Sequence, residues 1–167
     1  MRWVAAIACL LIALPASFDA AARGNTSHFI DKLSCDSGPY GLKLPKTYAE
    51  LKKIAPLVSE RLVRDQDFGS YRARHRELVF SGLRLEIVTY SHEPDAFQIA
   101  MAEIRTSAWK IAGPFRFGHA LPSRIGDVET KALTGTGTVE FSGEEDVVRV
   151  RLIGRRVMGL TYLCLPD

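Results

Sequence analysis

Residues 71–90 read YRARHRELVFSGLRLEIVTY. Two runs that alternate apolar and polar residues flank Ser81-Gly82. With those two residues as a tight turn, Phe80 faces Leu83, Leu78 faces Leu85 and Arg76 faces Ile87. Leu78, Phe80, Leu83, Leu85 and Ile87 then share one side, as a hairpin with a single core face requires. Gly82 supplies the residue that such a turn needs, although Asn-Gly is the stronger signal. The centre of the chain is therefore predicted to be antiparallel β structure.

Working outward, residues 97–106 continue the pattern as a third strand. Its alternation through Phe97, Ile99 and Met101 changes phase at Ala102 to bring Ile104 onto the apolar set, which predicts a bulge. Residues 138–141, 147–153 and 157–165 are three further strand-like runs. The last two form a hairpin around Gly154-Arg155, with Val148, Val150 and Leu152 inward and Arg149 and Arg151 outward. On the other side, Thr47-Tyr48-Ala49-Glu50 is a capping box ahead of Leu51, Ile54 and Ala55. Pro56 limits that helix to two or three turns unless it opens a second one. A second short helix is expected over residues 125–133, where Ile125, Val128, Ala132 and Leu133 share a stripe. The expected fold is a single α+β domain with an antiparallel sheet of about five to seven strands and two short helices.

The chain has 167 residues, of which 47% are hydrophobic, and a net charge of +3. That composition excludes collagen-like and wholly disordered classes. Residues 1–22, MRWVAAIACLLIALPASFDAAA, have the order of a secretory signal peptide: Arg2, an uncharged apolar run over 3–14, Pro15, then small residues. Cleavage is expected after Ala22, with Ala20 as the alternative; a lipoprotein would instead use Cys9. Removing this segment takes away Arg2 and Asp19 and leaves the charge unchanged. Residues 23–40 are expected to be a loosely ordered leader, and Asn25-Thr26-Ser27 matches a glycosylation sequon.

Cys35 and Cys164 remain in the exported chain. They predict one disulfide in an oxidising compartment, periplasmic or extracellular. The alternatives are two free buried thiols or a redox pair, and no C-x-x-C accompanies them.

Chemical motifs are few. Ser107-Ala108-Trp109-Lys110 matches S-x-x-K without the companion motifs, so Ser107 is expected in a turn and Trp109 in packing. Gly135-Thr136-Gly137 precedes a strand rather than a helix and reads as a turn. His28, His75, His92 and His119 are scattered, and His92-Glu93-Pro94-Asp95 collects ligand-type residues in a loop. Glu144-Glu145-Asp146 reads as a solvated acidic turn. No catalytic residue, metal site or cofactor is expected from these features.

The concentration of positive charge is more informative. Arg61, Arg64, Arg72, Arg74, Arg76 and Arg84 stand against Asp65, Asp67 and Glu77. Arg72, Arg74 and Arg76 alternate along one strand and point to one side, so they are the candidate binding residues. The competing reading is a solubilising row, or ion pairs with Glu86, Glu103 or Asp95. Nucleic acid is not expected, because export removes the chain from it.

Phe117-Gly118, Gly126-Asp127-Val128, Leu133-Thr134-Gly135 and Arg156-Val157-Met158-Gly159-Leu160 share a cadence. It resembles small exported α+β proteins of the β-lactamase-inhibitor-protein and outer-membrane-assembly-lipoprotein type, over residues 115–165. The resemblance implies protein binding without catalysis, as an inhibitor, immunity factor or envelope accessory. The expectation is thus an exported, non-enzymatic protein that binds a protein partner in the cell envelope through its sheet or the arginine row. An envelope hydrolase using His92, Glu93 and Asp95 is the alternative. A binder of anionic lipid or polysaccharide is a third reading.

Overall fold

The computed structural model describes residues 27–35, 40–111 and 113–164. The expected signal peptide, and Asn25 and Thr26 of the sequon, lie outside the described residues. The elements in chain order are β1 (Ser27–Phe29), α1 (Tyr48–Leu51), β2 (Leu57–Asp67), β3 (Arg72–Phe80), β4 (Leu83–Tyr90) and β5 (Glu93–Ile104). There follow β6 (Arg124–Ile125), β7 (Val128–Glu129), β8 (Gly137–Ser142), β9 (Val147–Ile153) and β10 (Arg156–Leu163). Eight strands form one sheet in the order β1-β8-β9-β10-β5-β4-β3-β2, and β6 and β7 pair separately.

The central hairpin has the register read from its alternation: Phe80 pairs Leu83, Leu78 pairs Leu85 and Arg76 pairs Ile87. All five apolar residues of that hairpin face are buried. Gly82 takes φ +75°, and a Cβ there would lie 2.3 Å from the Thr106 hydroxyl oxygen, so only glycine fits this turn. The C-terminal hairpin also turns at Gly154-Arg155, with Val148, Val150 and Leu152 buried and Arg149 and Arg151 exposed. The bulge in β5 falls at Ala100, between Ile99 and Met101 in the pairing with β4. It therefore turns Met101, rather than Ala102, off the core face.

The α+β expectation is corrected. Of the described residues, 53% are in strands and 3% in helix, and the sheet is mixed. Three physical causes account for the difference. First, residues 125–133 do not form a helix. Gly126 takes φ +54° in a turn between β6 and β7, Thr130 donates its hydroxyl to the Pro122 carbonyl, and Arg155 holds the carbonyls of Leu121, Pro122, Thr130 and Lys131. These tertiary bonds outweigh a stripe of helical spacing, because local propensity is worth only tenths of a kcal/mol per residue, about 0–0.7.

Second, α1 is a single turn. Thr47 caps it by accepting from the Glu50 amide, as the capping box requires, but the chain leaves the helix after Leu51. Beyond Pro56 it becomes the eleven-residue strand β2. Third, Ser27–Phe29, inside the expected leader, pairs parallel with β8 and makes the sheet mixed. Ile30, Leu33 and Cys35 just after it are buried in the core.

One face of the sheet packs into a single cluster with Leu51 of α1, Ile125 of β6 and Leu42, Phe115 and Leu121 from the irregular segments. The other face carries cross-strand ion pairs. Glu77 joins Arg61 at 3.1 Å and Arg84 at 2.6 Å, and Arg84 reaches Glu86 at 2.7 Å. Cys35 and Cys164 form the expected disulfide, 129 residues apart in sequence, which fits an oxidising environment.

Candidate functional site

Alternation along β3 puts Arg72, Arg74 and Arg76 on the same face of the strand, beyond Leu78 and Phe80. Their counter-charges come from β2, the strand that the sequence did not reveal. Arg72 Nη2 lies 3.0 Å from Asp67 and its Nε 3.6 Å from Asp65. Arg74 lies 3.5 Å from Asp65, and Arg76 Nη1 lies 2.9 Å from Glu60. Glu86 and Glu103, weighed from the sequence as partners, pair with Arg84 and Arg105 instead. The row is therefore largely compensated within the molecule.

The electrostatics follow from these contacts. The Gly69 amide, then Arg72, hold the Asp67 carboxyl below the usual range, and Asp67 in turn raises the Arg72 guanidinium. Burial alone would raise Glu60, but the Tyr48 hydroxyl and the charges of Lys52 and Arg76 together bring it below the usual carboxylate value. Tyr48 is pushed up to about 12, by burial first and then by donating to Glu60. Arg76 Nε is buried without a hydrogen-bond partner. Arg74, Arg76, Tyr48, Thr89 and Ser91 line a small cleft of about 220 Å³.

At the same end of the sheet, the turns after β2 and β4 bring four rings together. Phe68 stacks on Tyr71 at 5.0 Å, Tyr71 meets Tyr90 at 5.9 Å and His92 at 5.4 Å, and Tyr90 lies 5.7 Å from His92. Among the described residues six large apolar side chains are exposed, and four of them, Val58, Leu62, Val63 and Phe68, lie on β2 or its turn. β2 is the last strand of the sheet, so one of its backbone edges meets no described strand. Register shifts near Val58 and Val63 break its alternation and turn side chains outward.

The remaining candidates do not converge on one centre. His92 packs against tyrosines, with Glu93 and Asp95 exposed beside it at the start of β5. His28 packs at a tilt 5.6 Å from Phe141 at the opposite edge, while His75 sits in mid-strand and His119 in a loop. Ser107 is exposed, and Trp109 donates its indole N–H to the Ser81 carbonyl at 2.9 Å. Among the described residues one group has three metal-type ligands close together, Cys35, Asp146 and Cys164. Its two sulfurs are bonded to each other, and Asp146 accepts the Cys35 amide at 2.7 Å. Asp146, read from the sequence as part of a solvated acidic turn, thus secures the disulfide segment.

No family model, curated protein or solved structure matches the chain. Function is argued from its own geometry. The surface that sequence reasoning missed is β2 itself. Its signal was the pair of β-branched residues, Val58 and Val63, following the helix stop at Pro56.

Proposed function

We propose that the protein is exported and non-enzymatic, and that it binds an acidic protein partner of the cell envelope along β2 and the adjoining arginine row. The observation that carries this reading is the placement of Val58, Leu62, Val63 and Phe68, 48% to 69% exposed, on the outermost strand and its turn. Exposed apolar residues grouped on a sheet edge that meets no described strand suit the addition of an extended segment from another protein, whose backbone completes the ladder. Arginines and aromatic rings at the rim are the residue types that anchor such interfaces.

Charge favours an acidic segment. Arg64 pairs with no described carboxylate, and Arg61 on its face of the sheet and Arg72 and Arg74 on the other keep their guanidiniums substantially exposed. A carboxylate of the partner can join or replace Asp65 and Asp67 on these forks. Export is supported by the disulfide and by the pattern of residues 1–22. The resemblance of residues 115–165 to exported inhibitor proteins and assembly lipoproteins supports protein binding as the mode of action.

Affinity capture from an envelope extract tests the proposal. Leu62→Glu should lower recovery of the bound partner at least about tenfold, the effect of losing one anchoring side chain. Arg72→Ala/Arg74→Ala should remove the salt-sensitive part of binding, while Ile153→Glu on the distant hairpin should leave recovery unchanged. Equal recovery with Leu62→Glu and wild type would refute the assignment of the β2 edge.

A further inference from the structure

We infer that a second site, independent of the β2 edge, binds a small ligand in which an anionic head, a carboxylate or phosphate, is carried on an aromatic or aliphatic body. The site lies between Lys43 and residues 107–111 and 115–119, an open pocket of about 380 Å³. That volume is within the range of small-molecule pockets, roughly 300–1,000 Å³. Phe117 and Trp109 supply its apolar surface over the buried Phe115, and Lys43, Lys110 and Arg116 its charge. Among the described residues no acidic one lines it.

The cations are brought together by the backbone. Leu42 and Ile111 form an isolated antiparallel bridge, and their neighbours Lys43 and Lys110 both line the pocket. Like charges gathered at one pocket repel. Neither lysine, nor Arg116, makes an ion pair with a described carboxylate. The arginine row behaves differently, since each of its members has a carboxylate from β2. The pocket therefore holds uncompensated positive charge that an anion would relieve.

The apolar side is fixed before any ligand arrives. Trp109 is held by its bond to the Ser81 carbonyl and packs 5.8 Å from Phe80. Phe115 is fully buried, between Tyr40 at 6.1 Å and Phe141 at 5.4 Å. The loop carrying Arg116 and Phe117 is pinned to β10 from both directions. Gly118 donates to the Val157 carbonyl at 2.7 Å, and Val157 donates to the His119 carbonyl at 2.9 Å. A rigid ring floor beside a cationic rim selects an amphiphilic anion over a bare ion or a neutral apolar molecule.

Trp109 reports on its own site, because Trp3 is the only other tryptophan in the sequence. In the full chain carrying Trp3→Phe, Trp109 emission is titrated with decanoate and with decyl phosphate below their micelle concentrations. Decyltrimethylammonium, inorganic phosphate and phosphatidylglycerol vesicles serve as comparisons. Both anionic amphiphiles should give a saturable change, and the cationic amphiphile and inorganic phosphate none. Lys110→Glu, which gives Lys43 a counter-charge, should weaken decanoate binding at least about tenfold without lowering the thermal midpoint. Arg116→Gln, in the exposed loop, should weaken it in the same direction. The proposal fails if the cationic amphiphile binds equally well, if only vesicles change the emission, or if both variants bind decanoate as wild type does.

Discussion

Glu60 Oε1 on the edge strand lies 2.9 Å from Arg76 Nη1 on its neighbour, and the same oxygen accepts the hydroxyl of Tyr48. One carboxylate thus ties the single-turn helix, the edge strand and the inner end of the arginine row together. Lys52 and Arg76 also sit over the Tyr48 ring, at 4.7 and 5.7 Å. The group fixes how β2 presents its outer side, and its ionisation sets how the fold responds to pH.

On the acid side, Glu60, Glu77 and Asp67 all have folded-state pKa values below their ordinary ones, 4.5 for Glu and 3.8 for Asp. For Glu77 the principal cause is the hydrogen bond from Arg84. A lowered carboxylate stabilises the fold above its unfolded-state pKa, and that contribution fades as pH falls through the folded value. The thermal midpoint should therefore be level from neutral pH down to the Glu range and decline progressively below it. On the alkaline side Tyr48, raised from 10.0 to about 12, favours the neutral phenol in the fold. Its contribution is intact below pH 10 and is lost as pH rises toward 12. Thermal melts across both ranges check this, and Tyr48→Phe should flatten part of the alkaline decline.

Arg155 is a structural side chain. Its Nη1 donates to the carbonyls of Thr130 at 2.7 Å and Lys131 at 2.9 Å, and its Nη2 to those of Leu121 at 2.6 Å and Pro122 at 3.3 Å. Arg155→Ala removes all four bonds, the one to the partly buried Leu121 carbonyl among them, and should destabilise the protein by about 2–4 kcal/mol in urea unfolding. Arg155→Lys should recover less than half of that loss, because an ammonium cannot span four carbonyls as a guanidinium fork does. Amide exchange should quicken over β6 and β7 before it does in β9.

The disulfide closes a loop with a sequence separation of 129 residues. Cys164→Ser should cost about 2–5 kcal/mol and free Cys35 for thiol reagents, while the native protein shows no thiol at either position before reduction. Equal stability of the oxidised and reduced forms would show that Asp146 and the core hold this segment without the bond.

The parts of the fold legible in the sequence are those where a single buried face imposes a period. Leu78, Phe80, Leu83, Leu85 and Ile87 declare their hairpin, and so do Val148, Val150 and Leu152, because each alternates between core and solvent. β2 lacks that signature. It is exposed along nearly its whole length, and two register shifts interrupt its period. The stripe of Ile125, Val128 and Leu133 is misleading for another reason, since the carbonyls around it are held by Arg155 from the far end of the chain. β1 is a three-residue parallel pairing across more than a hundred residues, and nothing local encodes it. At the candidate site, alternation places Arg72, Arg74 and Arg76 on one face, but their counter-charges lie on the unread strand. Lys43 and Lys110 likewise come to one pocket only once Leu42 meets Ile111.

Site-specific photocrosslinking in intact envelopes tests the central claim most directly. A photoreactive phenylalanine analogue is placed at Val58 on the β2 edge or, as a control of matched apolar exposure, at Ile153 on the opposite hairpin. The account predicts one discrete protein adduct from position 58, weakened by high salt, and none from position 153. Adducts of equal yield from both positions, or none from position 58 in an envelope where the protein is correctly exported, would contradict it.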